Sequence, residues 1–64
     1  MTKLKEKRLE RGFTQHELSI RSDVKLRTIQ EYEQGRKDIN KAESLTVYKL
    51  SKGLGCRMEE LLEI

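Results

Sequence analysis

A chain of 64 residues is long enough for one small domain, and with 39% charged residues, no proline and no tryptophan it suits short helices rather than sheets. Its single cysteine, Cys56, excludes an internal disulfide, no Cys/His set has zinc spacing, and no apolar run reaches the length of a membrane span or a signal-peptide core. The formal net charge is +3, with −2 over residues 57–64 and +5 over residues 1–56, so the basic excess lies upstream of the tail and favours a phosphate-bearing partner.

Helix 1 is predicted over about residues 3–11 and stops at Gly12, a residue that accepts the left-handed cap conformation. Thr14 stands three residues before Glu17, the spacing at which hydroxyl and carboxylate cap each other's amides, and Phe13 and Leu18 flank that box as a hydrophobic staple. Helix 2 therefore opens at Gln15 and covers about residues 15–21. A short turn, Ser22-Asp23-Val24, leads into helix 3 over about residues 25–34, which Gly35 ends. Arg36 to Ile39 form a loop. Asn40 with Glu43 predicts a second capping pair that opens helix 4 at Lys41. That helix buries Val47, Leu50, Ser51 and Leu54 and ends at Gly55, and Met58 to Leu62 make a short fifth helix. The expected architecture is all-α, five helices in a single domain over residues 1–64.

Two short helices joined by a three-residue turn make a helix-turn-helix corner, whose second helix can enter the major groove of DNA. Projected at about 100° per residue, helix 3 turns Thr28, Ile29 and Tyr32 one way and Leu26, Arg27, Gln30 and Glu31 the other. The second set has base-reading chemistry. Arg27 can donate two hydrogen bonds to guanine, Gln30 can pair with adenine, and Leu26 can touch a thymine methyl. Glu31 repels phosphate, so it reads a cytosine amino group or lies along the groove edge. An ordinary solvated polar face is the competing reading of the same residues. His16 has no catalytic or metal partner and reads as a surface residue, while Cys56 fills an apolar slot after helix 4. No catalytic constellation, metal set or cofactor motif is present, so the sequence points to binding and not to an enzyme.

Arg8 stands four residues before Gly12, and the run Gly12-Phe13-Thr14-Gln15-x-Glu17-Leu18-Ser19 follows. With Val24, Thr28-Ile29, Tyr32-Glu33-Gln34-Gly35 and Leu50-Ser51-x-x-Leu54-Gly55, these segments resemble the phage repressor and Cro family of DNA-binding domains, also called XRE. The resemblance covers nearly the whole chain. It implies a compact, five-helix, lambda-repressor-like domain in which helix 3 is the recognition helix. It implies that Gln15 contacts phosphate at the start of helix 2, where free amides favour an anion. Arg36, Lys37, Asn40 and Lys41 would then grip the DNA backbone and set the register without reading sequence. It also implies a partly buried ion pair between Arg8 and Glu33, as scaffold. The chain departs from the family at Lys7 (usually leucine), Asp23 (the turn glycine), and Lys25 and Arg57 (capping serines). Aspartate tolerates the left-handed conformation better than most residues, and Lys25 is placed to reach a phosphate.

The expected partner is double-stranded DNA, bound in the cytoplasm. Leu45, Tyr48, Met58, Leu61, Leu62 and Ile64 supply more apolar side chains than one small core needs, so a homodimer contact near the C-terminus is expected, in keeping with the family's habit. Such a dimer would read a two-fold symmetric operator, with half-sites about 34 Å apart. The alternative is a protein-interaction module, such as an antitoxin held by a toxin or by another regulator. No membrane partner is expected.

Overall fold

Capping side chains decide where the first two helices of this chain begin. The computed structural model describes residues Met1–Ile64 and contains four α-helices and two 3-10 turns. The helices are α1 (Lys3–Glu10), α2 (Gln15–Ser22), α3 (Leu26–Glu33) and α4 (Ser44–Leu54), and the turns cover Ile39–Lys41 and Met58–Glu60. Thr2 starts α1 by accepting the Lys5 amide at 3.2 Å. At the start of α2, Thr14 Oγ1 accepts the Glu17 amide at 3.0 Å and Glu17 Oε1 accepts the Thr14 amide at 2.8 Å. The amide and hydroxyl of Thr14 hold the Glu17 carboxyl below its ordinary titration range. Asp23 ends α2 with φ 59°, the left-handed conformation that glycine usually supplies at such a turn. Lys25 precedes α3 without any side-chain cap. Arg11 closes the far end of α4, donating from Nε to the Leu54 carbonyl at 2.8 Å and from Nη2 to the Gly55 carbonyl at 3.3 Å.

Two elements differ from the sequence expectation. Helix α4 begins at Ser44 and not at Lys41, and Asn40 does not cap it. The competing interaction is local: Asp38 Oδ1 accepts the Asn40 amide at 2.9 Å, which closes a 3-10 turn over Ile39–Lys41. Ile39 is buried and anchors that turn in the core. The Asn40 side chain turns instead to the tail, donating from Nδ2 to the Glu63 carbonyl at 2.9 Å and accepting the Glu63 amide at 2.8 Å. The predicted fifth helix is a single 3-10 turn, Met58–Glu60. Here Glu60 accepts the Arg57 amide at 2.8 Å and the Lys7 ammonium at 3.3 Å. Those two contacts, the amide first, hold the Glu60 carboxyl below its ordinary range, and Glu60 in turn raises the Lys7 ammonium above its own. Lys7 thus ties α1 to the tail by charge.

Every element contributes to one core of Leu4, Leu18, Val24, Ile29, Tyr32, Ile39, Val47, Leu50, Leu54 and Leu61. Leu61 is fully buried, and Met58 and Leu62 pack against the cluster, so most of the apolar tail is consumed by the core. Leu45, Tyr48 and Ile64 remain exposed. No helix is long and apolar enough to cross a membrane.

Helices α2 and α4 approach closely at Ser22 and Gly53. A Cβ on Gly53 would stand 2.9 Å from Ser22 Cβ and 3.1 Å from the Ser22 main chain. Ser22 is buried there, donating to the Leu18 carbonyl at 2.7 Å and accepting the Val24 amide at 3.3 Å, so it also fastens the turn into α3.

Gly53→Ala is expected to destabilise the protein despite alanine's helix preference of about 1 kcal/mol, because overpacking costs about 1–3 kcal/mol. Urea unfolding checks this, and an alanine variant more stable than the parent would contradict the close contact. A second expectation concerns acid. Glu17 and Glu60 have depressed folded-state pKa values, so the stability they contribute is present above about pH 4.5 and is lost as pH falls through those values. The melting temperatures of the parent and of a Glu17→Gln/Glu60→Gln double variant should therefore differ near neutral pH and converge in acid. A constant difference across the pH range would show that the two carboxylates act by shape alone.

Candidate nucleic-acid interface

The arrangement begins with a buried carboxylate at the end of α3. The Glu33 side chain is 2% exposed, and its oxygens accept from Arg8 Nε at 2.7 Å and from Arg8 Nη2 at 2.9 Å, a two-pronged pair. Gln15 Nε2 donates to the same carboxylate at 3.0 Å, and Arg8 Nη1 donates to the Phe13 carbonyl at 2.8 Å. One anion therefore joins α1, the loop before α2, the first residue of α2 and the last residue of α3. Glu33 holds the Arg8 guanidinium still more firmly in its charged form. No buried side-chain nitrogen or oxygen in the chain lacks a partner.

With Ile29 and Tyr32 packed in the core, the opposite side of α3 faces outward. Arg27, Gln30, Glu31, Gln34 and Arg36 line a wholly polar depression there of about 360 Å³. Arg27 projects freely, its side chain 85% exposed, with Nε 3.9 Å from Glu31 Oε2. The Glu31 side chain is only 23% exposed, and its Oε1 lies 3.3 Å from Lys37 Nζ. Leu26 is half-buried at the first turn of the helix, and Lys25 is exposed just before it. Lys37 and Lys41 line an adjoining depression together with Thr28 and Thr46, shared with the carboxylates of Asp38 and Glu43.

The structure thus gathers Arg27, Gln30, Glu31 and Arg36 into one place and sets Lys37 and Lys41 beside them. It does not bring Asn40 into that group as a free side chain, since both ends of its amide are bonded to the Glu63 main chain. Gln15 is half-buried, with one amide hydrogen taken by Glu33 and the other available. Sequence reasoning missed Gln34. Its spacing from Arg27 and Gln30 puts it on their face, but the adjacent Gly35 marked it only as a helix end.

A family profile described as helix-turn-helix matches residues 4–61. No curated protein and no solved structure matches the chain.

Arg8→Ala leaves the Glu33 carboxylate buried without its cation, a change that commonly costs about 3–5 kcal/mol. A domain of this size has roughly 3–10 kcal/mol in all. The variant should therefore lose about a third or more of its stability, read as a sharply lower urea midpoint by circular dichroism. A loss below about 1 kcal/mol would mean that the pair does not hold the helices.

Proposed function

The chain belongs to the helix-turn-helix family of the phage repressor and Cro type, and from that premise we propose that it is a transcriptional regulator that reads a two-fold symmetric operator as a homodimer. The observation that carries this reading is the depression on the outer face of α3, lined by polar residues alone and held on a helix whose other side is locked into the core. Arg27 is the proposed guanine reader and Gln30 the adenine reader, with Leu26 against a thymine methyl. Gln15, Lys25, Arg36, Lys37 and Lys41 take phosphates and set the register, and Asn40 adds its remaining amide hydrogen at the same edge. Rigidity matters here, because a bidentate contact holds its discrimination of about 1–3 kcal/mol only if the helix enters the groove at a fixed angle.

The exposed side chains of Leu45, Tyr48 and Ile64 support a contact between copies on the C-terminal side of the domain. Two copies would place their recognition helices in successive major grooves about 34 Å apart. Occupancy of such a site would act by occluding RNA polymerase, which is repression, or by contacting it. The same exposed apolar side chains are the observation behind a second reading, an antitoxin-like module held by another protein. A stably co-purifying partner distinguishes that reading.

Selection from a random duplex library at near-physiological salt should recover a palindromic motif. Arg27→Ala should blur one base position in each half-site, whereas Lys41→Ala should weaken all duplexes alike and reduce the salt slope by about one. Equal effects of both substitutions on every duplex would remove the division between base readers and backbone contacts.

A further inference from the structure

Glu31 is the only acidic side chain in the polar depression on the outer face of α3. A carboxylate on a surface that meets DNA opposes every phosphate it approaches, so its presence calls for a reason. Both of its oxygens face cations, Oε1 toward Lys37 Nζ at 3.3 Å and Oε2 toward Arg27 Nε at 3.9 Å. Its main-chain carbonyl also accepts the amides of Arg36 at 2.9 Å and Lys37 at 3.3 Å, so this residue shapes the start of the basic loop as well. A carboxylate flanked in this way by two cations competes with phosphate for both of them.

We infer that Glu31 is a specificity-determining positioning residue, whose carboxylate masks Lys37 and steers Arg27 so that charge-only binding to DNA is suppressed relative to binding at the operator. The inference rests on the reading of α3 as the DNA-contacting helix. Non-specific binding consists of cations neutralising phosphates, and specific binding adds contacts to base edges. In the non-specific mode the head groups of Arg27 and Lys37 can only seek phosphate, and Glu31 competes for both. In the specific register the guanidinium of Arg27 is engaged by a base and Lys37 by one fixed phosphate, so both cations exchange Glu31 for a defined partner, which a complex without register does not offer. The repulsive charge therefore weakens the wrong complexes more than the right one, which is how a difference of affinities is widened. The Lys37 contact is shorter than the screening length of about 8 Å at physiological salt, so salt weakens it only in part.

The test compares the duplex recovered by selection with a scrambled duplex of the same composition, over a range of salt, for the parent, Glu31→Gln, Lys37→Gln and the double variant. Glu31→Gln should bind the scrambled duplex severalfold more tightly, with a salt slope steeper by roughly one, and the ratio of selected to scrambled affinity should fall. Its gain should shrink by more than half when Lys37 is already glutamine. Unchanged affinity for the scrambled duplex would overturn the inference. So would a loss confined to the selected duplex at a single G·C position, or a gain undiminished in the Lys37→Gln background. Should Glu31→Gln fail to fold by circular dichroism, Lys37→Gln alone decides. It must weaken scrambled-duplex binding less than Lys41→Gln does, because the charge of Lys37 is already masked, and an equal or larger loss overturns the inference. A parent protein that binds neither duplex would instead remove the DNA-binding reading, and this inference with it.

Discussion

A single buried anion governs the geometry of this domain. A carboxylate buried as Glu33 is needs partners, and it collects three donor groups from two elements distant in sequence, two from Arg8 and one from Gln15. Hydrophobic packing alone tolerates sliding and rotation of one helix on another. A two-pronged guanidinium–carboxylate pair does not, because its bonds are directional and each missing one leaves a buried charge unsatisfied. The pair joins α1 to the end of α3, and the Gln15 bond brings in the start of α2. The angle at which α3 presents its outer face is thereby set from both sides of the corner.

The rest of the fold supports that presentation. Ser22 closes the turn between α2 and α3 from within, and the absence of a side chain on Gly53 lets α4 settle directly against it. At the other end of α3, the loop of Arg36 and Lys37 hangs from the carbonyl of Glu31, and the 3-10 turn beyond it is tied to the tail through Asn40 and Glu63. The tail is itself clipped to α1, where Glu63 Oε2 accepts the Lys3 amide at 2.6 Å and Glu60 accepts from Lys7. The segment that follows α3 is thus braced by the C-terminal residues.

Much of this was readable from the sequence, and the exceptions have physical causes. The first three helices carry local signals: the reciprocal Thr14–Glu17 cap, the glycine stops at Gly12 and Gly35, and an aspartate able to take a positive φ at Asp23. The start of α4 was misjudged because Asp38 and Asn40 are both capping residues, and which of them wins depends on the burial of Ile39 and on a tail more than twenty residues away. The tail itself lacks a serine or threonine to nucleate a full helix, and one turn of 3-10 geometry is enough to bury Leu61. At the interface, the outward set on α3 follows from helical spacing. The pairing of Arg8 with Glu33 came from family resemblance, since residues 25 apart in sequence give no local clue to their contact. The Gln15–Glu33 bond and the enclosure of Glu31 by Lys37 were not legible at all, because both depend on how separate elements meet in space.

A helix locked by a buried ion pair is the surface proposed to meet DNA, and an amide NMR titration of the protein with a single half-site duplex tests this most directly. The largest shifts should fall on Gln15, on Lys25 to Gln30 and on Arg36 to Lys41, with Leu45 to Lys52 on α4 undisturbed. Shifts centred on α4 with α3 unchanged would contradict it, and would make the outer face of α4 the functional surface instead.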